Sequence, residues 1–189
     1  MDHADKRSDS DLVALSLKNS GYFSSIIERY EHKLSRYIGR LCHCSKEDIE
    51  DLLQEIFVKI YRNLNDFDHK LKFSSWVYRI AHNEVISHYR KIKARPQSVD
   101  LDHDLAVSDK IKDDFATFFD RNLNKIKIFE VFATLDLKYK DILILRFFEE
   151  MSYEEISDIL RKPPGTVATL LNRAKKQFKE KSKKLNIEF

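Results

Sequence analysis

Hydrophobic residues recur at spacings of three and four along much of the chain, the pattern of one apolar face on an amphipathic helix. In the N-terminal half, this spacing predicts a long helix over residues 23–41, a second after an N-cap at Ser45, and a third that begins near Ser74. A shorter apolar segment around residues 12–17 predicts a leading helix. We therefore expect a compact N-terminal helical bundle that ends near Arg95.

The same spacing resumes in the last third of the chain. Ser152 is followed three residues later by Glu155, a capping box that predicts a helix start at Tyr153. This helix is expected to end near Leu160, and the Pro-Pro-Gly turn within residues 161–165 separates it from a basic last helix. Two short helices joined by such a turn form a helix-turn-helix. The predicted inner face of the last helix consists of Val167, Leu170, Leu171, Ala174 and Phe178.

Composition favours helices and excludes several other classes of protein. The 189 residues include only three Gly and three Pro, whereas sheet-rich folds need many tight turns. The three glycines are too far apart for a loop that cradles nucleotide phosphates. The longest strictly apolar run, residues 142–145, is far shorter than the about 20 residues that span a membrane, and the first ten residues contain no secretory signal. We therefore expect an all-α cytoplasmic protein.

Charge divides this all-α chain further. Residues 79–95 hold five basic residues and one acidic residue, residues 161–184 hold nine and one, and residues 96–120 between them hold seven Asp and two Lys. This alternation predicts two small helical domains that bind a polyanion, residues 1–95 and residues 121–189, joined by an acidic linker. The alternative is that each basic segment is a solvated helix face.

The two cysteines, Cys42 and Cys44, are separated by one residue. This spacing is a poor basis for a disulfide framework, so we expect reduced thiols. A metal site would need further ligands, and the chain has no C-x-x-C or H-x-x-x-H segment. His82 and Glu84 match the first half of the zinc deaminase signature, but its P-C-x-x-C half is absent. We predict no metal, no cofactor and no catalytic group.

One face of the second long helix is acidic and polar. Asp51, Gln54, Glu55 and Val58 are spaced as i, i+3, i+4 and i+7, so they share a face opposite the apolar stripe. Such a face suits a partner that carries Arg or Lys. Taken alone, it is equally typical of a solvated helix.

Aromatic and basic residues alternate in the third helix. Aromatic faces stack on single-stranded bases and a cationic track binds the backbone, so this combination favours nucleic acid. Most Trp and Tyr side chains of a helical bundle belong to its core, however, and Trp76 shares a stripe with Ile80. The candidate residues are Phe73, Trp76, Arg79, His82, Asn83, Arg90 and Lys91.

The outer face of the last helix carries the residue types that contact duplex DNA. Thr169, Asn172 and Arg173 are candidates for reading base edges in the major groove. The lysines around them suit phosphates. The full candidate set is Lys162, Thr166, Thr169, Asn172, Arg173, Lys175 and Lys176.

Three segments together resemble a known family. They are DLLQEIFVKIYRNLNDF at 51–67, FSSWVYRIAHNEVISHYRK at 73–91 and LRFFEEMSYEEISDILRKPPGTVATLLNRAKKQF at 145–178. In this order they resemble the bacterial sigma factors of the extracytoplasmic-function (ECF) type, sigma-70 family members that keep only conserved regions two and four. The resemblance implies that the first segment binds core RNA polymerase, the second opens and reads the minus ten promoter element, and the third reads the minus thirty-five element.

The resemblance also implies partners and a base-binding site. The partners are core RNA polymerase, promoter DNA and an anti-sigma factor, and any catalysis belongs to the polymerase. The loop of residues 66–72 and the helix after it would hold a base flipped out of the duplex. Many members carry Gly-Thr-Val-Lys-Ser-Arg after the turn, whereas this chain has Ala168 and Leu170 at two commonly basic positions. The alternatives are a stand-alone helix-turn-helix regulator and a helical adaptor protein.

Overall fold

The computed structural model describes residues 7–42, 44–94 and 124–187, and every regular element in these ranges is helical. Of the described residues, 7–94 belong to one compact unit and nearly all of 124–187 to a second. The all-α prediction is confirmed. The linker itself, residues 96–120, lies outside the described residues, as does Arg95, so the domain boundaries remain a prediction.

The first unit contains four helices and two short 3-10 turns. Capping boxes begin two of the helices: Ser8 and Ser45 each accept a hydrogen bond from the backbone N–H of an aspartate three residues later, 3.1 Å in both cases. The N-cap predicted at Ser45 is confirmed. The elements are α1 (Asp9–Lys18), a 3-10 turn (Ser20–Tyr22), α2 (Phe23–Leu41), α3 (Lys46–Arg62), a 3-10 turn (Leu64–Asp66) and α4 (Phe73–Ala94).

Helix α2 lies at the centre of this unit and contacts α1, α3 and α4. Its predicted apolar stripe is buried, with Ile26, Leu34 and Ile38 fully covered, and Ile56 and Ile60 of α3 are also fully covered. Each such side chain contributes about 1.5–3 kcal/mol through removal from water. This core fixes which faces of α3 and α4 remain exposed.

Cys42 and Cys44 form a disulfide at the end of α2, so the expectation of two reduced thiols is wrong for this structure. The chain leaves α2 in an extended conformation at Cys42, with φ −102° and ψ 137°. In extended backbone, side chains two residues apart point to the same side, and here the two Cα atoms are 5.2 Å apart. A spacing of one residue is a poor basis for a disulfide framework, but it allows this local pairing where the backbone is extended.

The described part of the second unit contains four helices: α5 (Asn124–Ala133), α6 (Leu137–Phe147), α7 (Tyr153–Leu160) and α8 (Pro164–Lys184). The capping box of Ser152 and Glu155 is present, so the predicted start at Tyr153 is confirmed. Helix α8 packs on α6 and α5. Of its predicted inner face, Val167, Leu171 and Ala174 are buried, whereas Leu170 and Phe178 are only partly covered.

No helix in the described ranges has both the length and the apolar character needed to cross a bilayer. The side chains of residues 93 and 94 in α4 and of residues 124–127 and 129 in α5 lie outside what the structure describes.

Candidate nucleic-acid interface

Helix α3 presents a polar face to solvent. Asp51, Gln54, Glu55 and Val58 are all exposed, and Val58 exposes 47% of its surface. The opposite face is buried against the core, so the helix is held with this side outward. Tyr61, also 47% exposed, extends the same face. The sequence analysis missed Tyr61, although its position three residues after Val58 could have identified it.

A buried carboxylate joins α3 to α4. Lys59 of α3 forms an ion pair with Glu84 of α4, whose side chain is only 7% exposed. A buried carboxylate left unpaired would be strongly destabilising. Glu84, which the zinc deaminase comparison had singled out, is therefore a structural residue that connects two helices. Among the residues that the structure describes, no three His, Cys, Asp or Glu side chains cluster as a metal site would require.

The structure corrects the assignment of Phe73 and Trp76 as base-stacking residues. They are 4% and 5% exposed and pack with Phe67, with ring centroids 5.1–5.6 Å apart. Tyr30 of α2 packs edge-on against Phe73 at 5.8 Å. These faces are covered by protein, so they are not available to an incoming base in this conformation. The alternative interpretation of Trp76 as a core residue describes the structure better.

The remaining candidates on α4 differ in exposure. Asn83, Arg90 and Lys91 are exposed, whereas Arg79 and His82 are partly buried. Ser87 is exposed as well, and because it lies four residues after Asn83 and three before Arg90, the three side chains form one polar stripe along the helix. Ser87 was not predicted, because the pattern of aromatic and basic residues on this helix does not include a serine.

A cleft of about 420 Å³ lies beside the loop that precedes α4. The side chain of Asp68 shapes this loop by accepting a hydrogen bond from the Lys70 backbone N–H at 2.9 Å. The first turn of α1 supplies the facing wall, which no local sequence pattern could have placed there. The lining residues are Asp9, Ser10, His69, Lys70, Leu71, Lys72, Phe73 and Ser74.

The turn between α7 and α8 orients the basic helix. Arg161 ends α7 in the left-handed region with φ 51°, and Ser157 Oγ donates a hydrogen bond to the Lys162 carbonyl at 2.6 Å. Pro164 then begins α8 at a position where its missing N–H is not needed. The predicted helix-turn-helix is confirmed. All seven candidate residues around it are exposed: Lys162, Thr166, Thr169, Asn172, Arg173, Lys175 and Lys176.

Contacts within the unit distinguish these seven residues. Thr169 Oγ1 donates to the Gly165 carbonyl at 2.9 Å, so its oxygen remains an acceptor for a base or phosphate partner. The Lys175 ammonium lies 5.4 Å from the centre of the Phe147 ring, at the side of α8 that faces α6. Asn172 and Arg173 point to solvent from the middle of the exposed face.

Lys140 is a buried cation on α6. It is 5% exposed, and burial lowers its pKa to about 8 because the charged form is poorly solvated there.

In the first unit, burial and the hydrogen bond to Asp9 raise the pKa of the Tyr30 hydroxyl. Tyr30 therefore remains a hydrogen-bond donor at physiological pH.

Two protein-family profiles match the chain, one for each unit. The profile of Sigma-70 region 2 matches residues 26–95, and that of Sigma-70, region 4 matches residues 126–178. The first range contains α3 and α4 with the cleft loop, and the second contains the helix-turn-helix.

Similar proteins cover most of the chain. The ECF RNA polymerase sigma-E factor of Escherichia coli (strain K12) is 30% identical over 166 residues, which are 84% of this chain and 85% of that protein. The ECF RNA polymerase sigma factor SigW of Bacillus subtilis (strain 168) is 28% identical over 172 residues, or 86% and 90%. The sigma factor RpoE, solved with the anti-sigma factor NepR from Bartonella quintana, shares the fold with a TM-score of 0.62 at 20% identity, covering 85% of this chain and 96% of that one.

These matches decide between the alternatives. A stand-alone helix-turn-helix regulator would account for the second unit and leave the match over residues 26–95 unexplained. A helical adaptor protein would leave both profile matches unexplained. The chain belongs to the ECF sigma factors, which direct RNA polymerase to promoters.

Proposed function

We propose that this chain performs sigma-factor function through three exposed surfaces, each on a different helix. The polar face of α3 binds core RNA polymerase, α4 with its cleft acts at the minus ten element, and the outer face of α8 binds the minus thirty-five element. The observation that carries this proposal is exposure: every candidate residue on α3 and α8 points to solvent while the opposite side of its helix is buried.

The polymerase surface combines charge with a small apolar patch. Asp51 and Glu55 attract a basic partner, and Val58 with Tyr61 supplies apolar area that is removed from water on docking. Exposed apolar side chains beside acidic ones on one helix face favour a protein interface over a solvated helix face. The partner surface on the polymerase should therefore carry Arg or Lys around an apolar centre.

In the minus ten surface, buried residues support the site and exposed residues contact the DNA. Phe73 and Trp76 form the buried floor, so they hold the cleft and the start of α4 in place. The contacts to DNA come from the exposed stripe of Asn83, Ser87 and Arg90, with Lys91 nearby as a phosphate contact. The cleft has the size of a small-ligand site and receives a base extracted from the duplex.

The minus thirty-five surface depends on fewer base-reading groups than usual for the family. Ala168 and Leu170 replace two commonly basic residues, and both are partly covered. Base readout therefore falls on Thr169, Asn172 and Arg173. The lysines around them supply sequence-independent attraction to phosphates.

The partners and location follow from this function. Core RNA polymerase and promoter DNA are its direct partners, which places the chain in the cytoplasm. The structural relative RpoE binds an anti-sigma factor, and we expect an anti-sigma partner here too. The chain supplies no catalytic group and needs no cofactor, because the polymerase performs the chemistry.

The direct test is transcription in vitro with core polymerase and a library of genomic promoter fragments. Adding this protein should produce transcripts from a defined subset of promoters that share two sequence elements. Core polymerase alone provides the baseline. Binding of the protein to the same fragments with no dependence on polymerase would instead support the stand-alone regulator.

A further inference from the structure

The cleft before α4 has two walls from distant parts of the chain. One wall is the loop of residues 69–72, which the proposed function already uses. The other is the first turn of α1, where Asp9 and Ser10 face the same space. Nothing in the proposed function accounts for this second wall.

Asp9 fastens the first turn of α1 to α2. Its Oδ1 pairs with Arg29 Nη1 at 2.6 Å, and its Oδ2 accepts a hydrogen bond from the Tyr30 hydroxyl at 2.6 Å. Arg29 Nη2 also donates to the Arg7 carbonyl at 2.8 Å. The Arg29 and Asp9 side chains are only 22% and 30% exposed, so this charge-assisted pair is partly protected from solvent.

The same contacts continue into the floor of the cleft. Tyr30, which holds Asp9, packs its ring against Phe73, and Phe73 lines the cleft. Asp9, Tyr30 and Phe73 therefore connect the α1 wall to the start of α4 through direct contacts. A wall fixed in this way keeps its distance from the loop, as a binding site requires.

We infer that the first turn of α1 is a functional wall of the minus ten cleft, in which Ser10 contacts the extracted base and Asp9 is the positioning residue. This inference rests on the proposed function of the cleft. A serine hydroxyl can donate and accept hydrogen bonds, so it can meet the edge of a base, while Lys70 and Lys72 on the opposite wall suit its phosphate. Ser10 is exposed, which leaves it accessible to DNA.

The test is a double-mutant cycle between Ser10 and the DNA base. Full-length protein is assembled with core polymerase on promoters in which a single abasic nucleotide replaces each non-template minus ten position in turn. The lifetime of the open complex is measured for the wild-type chain and for Ser10→Ala. We expect Ser10→Ala to shorten the lifetime about 5- to 10-fold on the intact promoter and less than 2-fold when the extracted base is missing, because one contact cannot be lost twice.

Two further variants separate contact from stability. Alanine is a better helix former than serine, so Ser10→Ala should not weaken α1. Asp9→Asn, which loses the charge that pairs with Arg29, should show the same coupling to the same base. Leu17→Ala, at the exposed far end of α1 and outside the cleft, should leave the open complex unchanged on both promoters.

The outcomes distinguish the inference from the proposed function. Equal fold losses for Ser10→Ala on intact and abasic promoters, or no loss on either, would overturn the α1 wall while leaving base capture by the loop intact. If no abasic position affected the wild-type complex, base capture in the cleft would fail as a whole, and this inference with it.

Discussion

Asn83 is the exposed amide at the start of the α4 stripe, between the partly buried His82 and the buried Glu84. An amide can donate and accept at once, so it can pair with the edge of an unpaired base. The buried residues on the inner side of α4 pack against the core, whereas the Asn83 side chain is exposed and does not contribute to the core. A single side chain of this kind can be changed with little effect on the fold.

Asn83→Ala is expected to reduce transcription from fully paired promoters more than from promoters with a mismatched minus ten region. Extracting a base costs a few kcal/mol, and a pre-opened template removes that cost. Transcript yields on the two templates measure the difference. The free energy of unfolding, measured by thermal melting, should change by no more than about 0.5 kcal/mol, as for other exposed positions. Equal defects on both templates would argue against a role in strand opening.

Glu150 is held in a left-handed conformation, φ 53°, at the turn before α7. This conformation costs a residue with a side chain about 1–2 kcal/mol and costs glycine little. Glu150→Gly should therefore raise the free energy of unfolding of the second unit by about 0.5–1 kcal/mol, measured by urea titration. Glu130→Gly on helix α5 should lower it by about 1 kcal/mol. A loss of stability at both positions would contradict the strain at Glu150.

At the scale of elements, we propose that α8 combines base reading and phosphate attraction in one helix. Arg173→Ala should cost about 1–3 kcal/mol and relax the preference at one minus thirty-five position, because a base contact is lost. Lys176→Ala should weaken all promoters alike and reduce the salt dependence of log affinity by about one. Holoenzyme binding to promoters randomised in this element, at several salt concentrations, measures both. A uniform loss for Arg173→Ala would reassign it to phosphate.

We expect the free energy of unfolding to depend on pH through Lys140 of helix α6. Below pH 8 the folded and unfolded states are both protonated, and the folded state bears the cost of burying the charge. Above this pH the folded state releases its proton while the unfolded lysine keeps it up to about pH 10.4, so stability rises with pH.

Lys140→Met should remove this rise. The free energy of unfolding of the wild type, measured relative to the variant, should increase by up to about 3 kcal/mol between pH 7 and pH 10. The comparison cancels the titration of other groups. A difference that stays constant with pH would contradict the lowered pKa of Lys140.

Helix starts were predictable because their signals are local. The capping residues Ser45 and Ser152 determine the first turns of α3 and α7 by hydrogen bonds that span three residues. Burial on α4 was less predictable, since Phe73 and Trp76 are covered by Phe67 and Tyr30, which come from other elements. Periodicity identifies a face of a helix and says nothing about how many neighbours cover it.

The candidate site shows the same limit. Most of the faces of α3 and α8 could be predicted, because each is one side of a helix whose other side is apolar. The exceptions are Tyr61 on α3, which was not predicted, and Leu170 and Phe178 on α8, which are less covered than their spacing indicates. The cleft could not, because it combines a loop at residues 69–72 with α1, about 60 positions earlier. The disulfide between Cys42 and Cys44 depends on backbone that turns extended within one residue of a helix end.

At the scale of the whole molecule, α3 is the surface that we propose binds core RNA polymerase. Gln54→Ala combined with Glu55→Lys should abolish co-elution with core polymerase, because it removes an amide and reverses a charge at the centre of the exposed face. Helicity and melting temperature should remain unchanged. The matched control is Glu31→Lys, the same charge reversal at an exposed position of α2. Normal co-elution of the double variant would remove α3 from the interface.

The ion pair between Lys59 and Glu84 connects the helices that carry two of the proposed surfaces, α3 and α4. Lys59 directly follows Val58 on the polymerase face, and Glu84 directly follows Asn83 on the DNA stripe. If α3 binds the polymerase and Asn83 contacts DNA, as we propose, this ion pair helps to keep the two contacts at a constant distance. That distance would then select the promoter position at which the strands begin to separate.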